Sequence, residues 1–170
     1  AALGAPDVGA DSRAQLYSRA RLVDEQGAPL RAGAIPVERN LIFHYPFAAT
    51  PCFLLNLGKA VQPARLKTVA GEPYEWNGGV GAARSVVAYS AICAHKLSYP
   101  TRDISFISYR TEKSARNRIG NVIHCCSEHS QYDPAQGARV LAGPAPQPLA
   151  SIVLEHDRDS DELHAVGTLG

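Results

Sequence analysis

From Leu41 onward the chain alternates between short apolar runs and clusters of turn-forming residues. Leu41-Ile42-Phe43-His44-Tyr45 and Cys52-Phe53-Leu54-Leu55-Asn56-Leu57 are the first two runs, each bounded by proline and glycine. A third covers Arg84 to Cys93, with Val86, Val87, Tyr89 and Ile92 as its apolar members. Ile104 to Tyr109, Val122 to Cys125, Arg139 to Leu141, Ile152 to His156 and Leu163 to Val166 continue the series. Short runs separated by turn signals predict strands. The expectation for 41–170 is an antiparallel all-β unit, a small barrel or sandwich. Residues 1–40 read differently. Ala1 to Ala10 is small and polar, as in an arm or linker. Ala14 to Val23 reads as a short helix with a thin apolar face, ended by the turn Asp24-Glu25-Gln26-Gly27-Ala28-Pro29. An N-terminal arm over 1–40 is expected, either a surface extension or an arm laid on a partner subunit.

Composition narrows the function classes. At 170 residues and 45% apolar content the chain holds one core of ordinary size. A net charge of +1 argues against nucleic acid or an acidic membrane surface as the partner. No apolar run approaches a membrane span. Gly78-Gly79-Val80-Gly81 leads into a strand and lacks a following Gly-Lys-Ser/Thr, so it is a turn and not a phosphate cradle. Asp157 to Glu162 is a charged hairpin tip without calcium-loop spacing. His44, His156 and His164 stand alone on strands, and no Ser/His/Asp set is present. The chain has no methionine, even at its start, which suggests processing upstream. Four cysteines are too few for a disulfide scaffold, and their placement speaks for metal binding.

That placement is Cys93-Ala94-His95, a C-x-H, and Cys126-Ser127-Glu128-His129, a C-x-x-H, with thirty residues between them (96 to 125). Two thiolates and two imidazoles suit an asymmetric 2Fe–2S cluster, with the thiolates on one iron and the imidazoles on the other. A structural zinc site is the competing reading of the same four residues. Zinc more often pairs its ligands as C-x2–4-C and H-x3–5-H, so a Cys and a His in each loop favours the cluster.

The pattern resembles the Rieske iron–sulfur family. The resemblance implies that Cys93, His95, Cys126 and His129 sit on two loops that clasp the cluster from opposite sides. Gly143-Pro144-Ala145-Pro146-Gln147-Pro148-Leu149 is similar to the proline loop that covers the third side, as in cytochrome bc complexes. A stiff loop carrying Pro144 and Pro146 shields a cluster without collapsing onto it. The stretches Pro51 to Val61, Val86 to Cys93, Ser130-Gln131-Tyr132-Asp133 and Ala165-Val166-Gly167 resemble the Rieske subunit of arsenite oxidase, a periplasmic molybdenum enzyme. The implied fold is an incomplete antiparallel β-barrel or sandwich with a cluster-binding subdomain over about 93–148. Ser130 and Tyr132 are candidate hydrogen-bond donors to the cluster sulfurs, which would raise its potential.

Three departures from the family pattern stand out. The second cysteine that high-potential members carry in each ligand loop is replaced by Ser98 and Glu128, so the bracing disulfide is expected to be absent. The second loop is one residue short between His129 and Tyr132. An ungapped alignment would make Cys125 the ligand and place Glu128 where histidine belongs; otherwise Cys125 is a small buried residue or a disulfide partner of Cys52. Finally, the segment Tyr99 to Gly120 is long and carries Arg102, Arg110, Lys113, Arg116 and Arg118 against Asp103 and Glu112. It is either a solvated excursion or a docking element.

The resemblance implies a one-electron carrier, a subunit of an oxidoreductase and not a catalyst alone. It would serve a periplasmic respiratory enzyme, with a molybdenum-containing catalytic subunit as donor and a c-type cytochrome as acceptor. A quinol-oxidising cytochrome bc-type complex is the second setting, and a zinc-stabilised binding module the non-redox alternative.

Overall fold

A computed structural model describes residues 14–92, 107–111, 120–125 and 130–170 of the chain. Six strands form the main sheet in the order β1 (Ala14–Arg21), β12 (Leu163–Leu169), β11 (Ser151–His156), β6 (Val86–Ser90), β3 (Pro51–Asn56) and β2 (Leu41–His44), all neighbours antiparallel. A second sheet follows the order β10 (Arg139–Ala142), β9 (Gln131–Asp133), β8 (Val122–Cys125) and β7 (Ile107–Arg110). A separate hairpin joins β4 (Ala64–Lys67) to β5 (Pro73–Trp76). Among the described residues there is no α-helix, only single 3-10 turns at Ala32–Ala34 and Pro134–Gln136. The all-β expectation holds.

The helix expected over Ala14 to Val23 is instead the strand β1. Its thin apolar face offers a helix little burial, whereas β12 offers a full ladder, from Ala14 opposite Leu169 to Arg21 opposite His164. Residues from Ala14 to Ile35 belong to the body of the protein, with Leu22, Ala32 and Ile35 buried. The part of the expected arm that precedes Ala14 lies outside the described residues. Three strands carried too weak a pattern to be read from sequence: β4, β5 and β9 are only four, four and three residues long.

The sheet curls. Its two edge strands stand at opposite ends of the strand order, yet Tyr17 of β1 meets Tyr45 and Phe47, which follow β2. The ring centroids are 6.2 and 5.9 Å apart, edge to face. The result is a half-barrel whose central strands are covered on both sides. On β3, Cys52 and Leu54 join Phe43, Val86 and Leu163 in one buried cluster, while Phe53 and Leu55 join Trp76, Tyr89 and Ile123 in another. Burial on both faces explains why Cys52 to Leu55 is a continuous apolar run and not an alternating one.

The same geometry removes the Cys52–Cys125 disulfide that the sequence left open as one alternative for Cys125. Cys52 is a thiol that donates to the Tyr45 carbonyl at 3.3 Å, and the two cysteines belong to different clusters. Burial pushes the Cys52 thiol up to about 12.

The charge run Asp157 to Glu162 forms the expected tip of the β11–β12 hairpin, with the Asp161 N–H donating to the Asp157 carbonyl. His156 is not isolated, because its Nε2 lies 2.6 Å from Asp161 Oδ1. Asp161 Oδ2 accepts from the Gly33 N–H at 2.8 Å, which fastens the hairpin tip to the 3-10 turn over the inner cluster.

Candidate metal centre

Three connections have their described ends joined by hydrogen bonds. The first leaves β6. The Ser90 N–H donates to the Ala150 carbonyl and the Ala91 N–H to the Pro51 carbonyl, at 2.8 and 2.9 Å. Ser90 Oγ then accepts from the Ile92 N–H at 3.3 Å, turning the chain immediately before Cys93. The second connection joins β8 to β9. Here the Cys125 N–H donates to the Ser130 carbonyl at 2.9 Å, on either side of residues 126–129, which lie outside the described residues. The third is the proline loop, whose Ala145 N–H donates to Ser130 Oγ at 3.2 Å.

The strand before the first candidate loop and the end of the strand after the second are fastened to each other. The Tyr89 hydroxyl on β6 donates to the Pro134 carbonyl, just after β9, at 2.7 Å. Burial drives the phenol pKa well above its ordinary value, so Tyr89 stays a neutral donor. Ala91, Cys125, Tyr132, Ala145 and Leu149 all lie in one buried cluster beneath the three connections.

Cys93, His95, Ser98, Cys126, Glu128 and His129 lie outside the described residues, as do 99–106 and 112–119 of the basic segment. Of the remaining site candidates, Ser130 and Tyr132 are wholly buried. Pro144 and Pro146 are exposed on the proline loop, while Ala145 between them is buried. Cys125 is a buried strand residue of β8, opposite Ile107 of β7.

Immediately after the candidate second loop, Ser130 offers a buried hydroxyl. The Ala145 N–H occupies a lone pair of Ser130 Oγ and leaves the hydroxyl hydrogen for a further partner, which suits donation to a sulfide or thiolate. The buried phenol of Tyr132 lies two residues further along, on β9.

Several positioning residues give no sequence signal. Asn40 pairs with the edge strand β7, its Oδ1 accepting from the Tyr109 N–H at 3.0 Å and its Nδ2 donating to the Tyr109 carbonyl at 2.9 Å. Burial pushes the Tyr109 phenol up to about 12, with the nearby Glu38 charge adding to the shift. Gln147 Oε1 accepts from the Val69 N–H at 2.9 Å and ties the proline loop to the β4–β5 turn. Gly137 stands at φ +68 after the turn Pro134–Gln136, where a Cβ would lie 2.3 Å from Leu66 and 3.2 Å from Trp76. Only glycine fits this close approach of hairpin and second sheet.

These elements form an all-β architecture, a curled base sheet carrying a smaller four-stranded sheet. Among solved structures, the chain is similar to the soluble domain of Rieske protein II (soxF) from Sulfolobus acidocaldarius. The TM-score is 0.63, with 24% identity, covering 89% of this chain and 78% of that one. The likeness establishes the fold. No family model matches the sequence.

Proposed function

We propose that this chain is a Rieske-type one-electron carrier, with Cys93 and Cys126 holding one iron of a 2Fe–2S cluster and His95 and His129 the other. The observation that carries the reading is the convergence of three connections on a Rieske-like fold: the exit from β6, the loop 126–129 and the proline loop. Cys126 is preferred to Cys125 because the Cys125 N–H bond to Ser130 closes a loop whose first and last residues are Cys126 and His129. Cys125 itself is buried with Ile123 and Tyr132 in the core.

A cluster bound here supplies reversible one-electron chemistry in the range of about −150 to +300 mV. The chain's own residues hold its environment. Ser130 is oriented by Ala145, the two launching strands are locked by Tyr89, and the proline loop excludes water.

The setting we infer is the periplasm, beside an oxidoreductase subunit that donates electrons and a c-type cytochrome that takes them. The flanks of the ligand loops resemble those of a molybdoenzyme partner subunit, and this favours that setting over a quinol-oxidising complex. Among the described residues, no helix is long and apolar enough to cross a membrane.

The test is EPR of the dithionite-reduced protein, with iron and zinc quantified in the same sample. A rhombic signal of low average g, with two irons per chain, is expected for mixed histidine and cysteine ligation. Stoichiometric zinc without a signal would overturn the assignment.

A further inference from the structure

We propose that the groove between the β4–β5 hairpin and the proline loop is where the redox partner docks, and that the partner inserts an acidic loop there. The proposal rests on the electron-carrier reading and names the partner's chemistry at the same end of the molecule. The groove has a volume of about 350 Å³. That is room for a few side chains, which fits a loop better than a whole domain face. Arg65, Lys67 and Arg139 rim it, over a floor that includes Leu66, Val140 and Pro146. Among the described residues, no carboxylate lines it.

The charge is local, because the whole chain carries only +1. Arg65 lies 3.5 Å from Glu75 on the outer flank, but both side chains are largely exposed, and such a pair offsets little of the field. Arg139 Nη2 donates to the Arg65 carbonyl at 3.0 Å, which sets the guanidinium at the rim without neutralising it. An apolar floor with a cationic rim has the anatomy of a protein interface, where burial gives affinity and charge guides approach.

The groove is preformed and joined to the cluster end. Its two walls are tied by the Val69 N–H bond to Gln147. Ala145 lines the groove while its N–H bonds Ser130, the residue that follows the second ligand loop. A partner held here sits one hydrogen bond from that loop.

The probes are two oxidised c-type cytochromes of similar potential, one with an acidic and one with a basic haem edge. Binding is measured by calorimetry, and electron transfer by stopped flow, across ionic strength. The variants are Lys67→Gln, Lys67→Glu and Lys67→Glu/Arg139→Glu, on exposed side chains. The wild-type protein should prefer the acidic cytochrome and lose affinity as salt rises. The double charge reversal should weaken that binding about tenfold at low ionic strength, with an unchanged EPR signal, and Lys67→Gln should fall between. Binding that is equal for both cytochromes, or unchanged in the variants, overturns the docking site. Electron transfer indifferent to salt and to all three variants overturns it too, while leaving the carrier reading intact. Charge-dependent binding by a protein with no reducible cluster supports the groove and overturns the carrier reading.

Discussion

Cys125 and Cys126 are adjacent in sequence, and the strand β8 ends at Cys125. Cys125 is buried with Ile123, and its N–H donates to the Ser130 carbonyl; Cys126 lies outside the described residues. Replacing Cys125 by serine places a hydroxyl in a largely apolar cluster and should cost about 1–3 kcal/mol, read as a shift of the denaturant midpoint. The EPR signal of the reduced protein should survive. Cys126→Ser should do the reverse, abolishing the signal and the stoichiometric iron while the β-sheet circular dichroism persists. A signal lost in Cys125→Ser and kept in Cys126→Ser would exchange the two assignments.

Among the elements, β7 shows how the second sheet is attached. It is an edge strand, and a free edge invites pairing with another chain. Asn40 blocks part of it by making both backbone bonds of Tyr109, as a neighbouring strand would. Asn40→Ala should lower stability by about 1–3 kcal/mol and speed hydrogen exchange at the Tyr109 amide. Asn40→Asp keeps the acceptor and loses the donor, so its effect should be smaller. Unchanged Tyr109 exchange in the alanine variant would remove this role. The sequence could not indicate it, because an Asn in a connection has the same composition whether it caps a strand or faces water.

At the scale of the whole molecule, one carboxylate fastens the β11–β12 hairpin tip to the turn at Ala32–Ala34. The hydrogen bond to His156, then that from the Gly33 N–H, holds the Asp161 carboxyl below its ordinary range. Asp157 is lowered in the same direction, chiefly by the N–H groups of Asp159 and Ser160. A lowered folded-state pKa means that the carboxylate stabilises the fold above its unfolded value, near 3.8, and that this is lost as pH falls through the folded value. The thermal midpoint should therefore fall as pH drops below about 4. Asp161→Asn should be less stable at neutral pH and show a shallower acid limb, the remainder belonging to Asp157 and other carboxylates. An acid limb as steep as that of the wild type would show that Asp161 does not contribute.

Sequence alone determined the fold class and most of the strands of the two sheets. Strands buried on two faces, such as Cys52 to Leu55, must be written as apolar runs, and turns between them require glycine and proline. It also supplied the spacing of the four candidate ligands, since metal chemistry fixes residue type locally. Tertiary structure decided the rest. Ala14 to Arg21 became a strand because β12 offered an open edge, a fact held by residues about 150 positions away. Cys52 and Cys125 were kept apart by lying on different sheets and in different buried clusters. The positions of Asn40, Gln147 and Gly137 follow from which surfaces meet. Such long-range meetings leave no periodic mark on the chain, because each depends on one contact and not on a repeating environment.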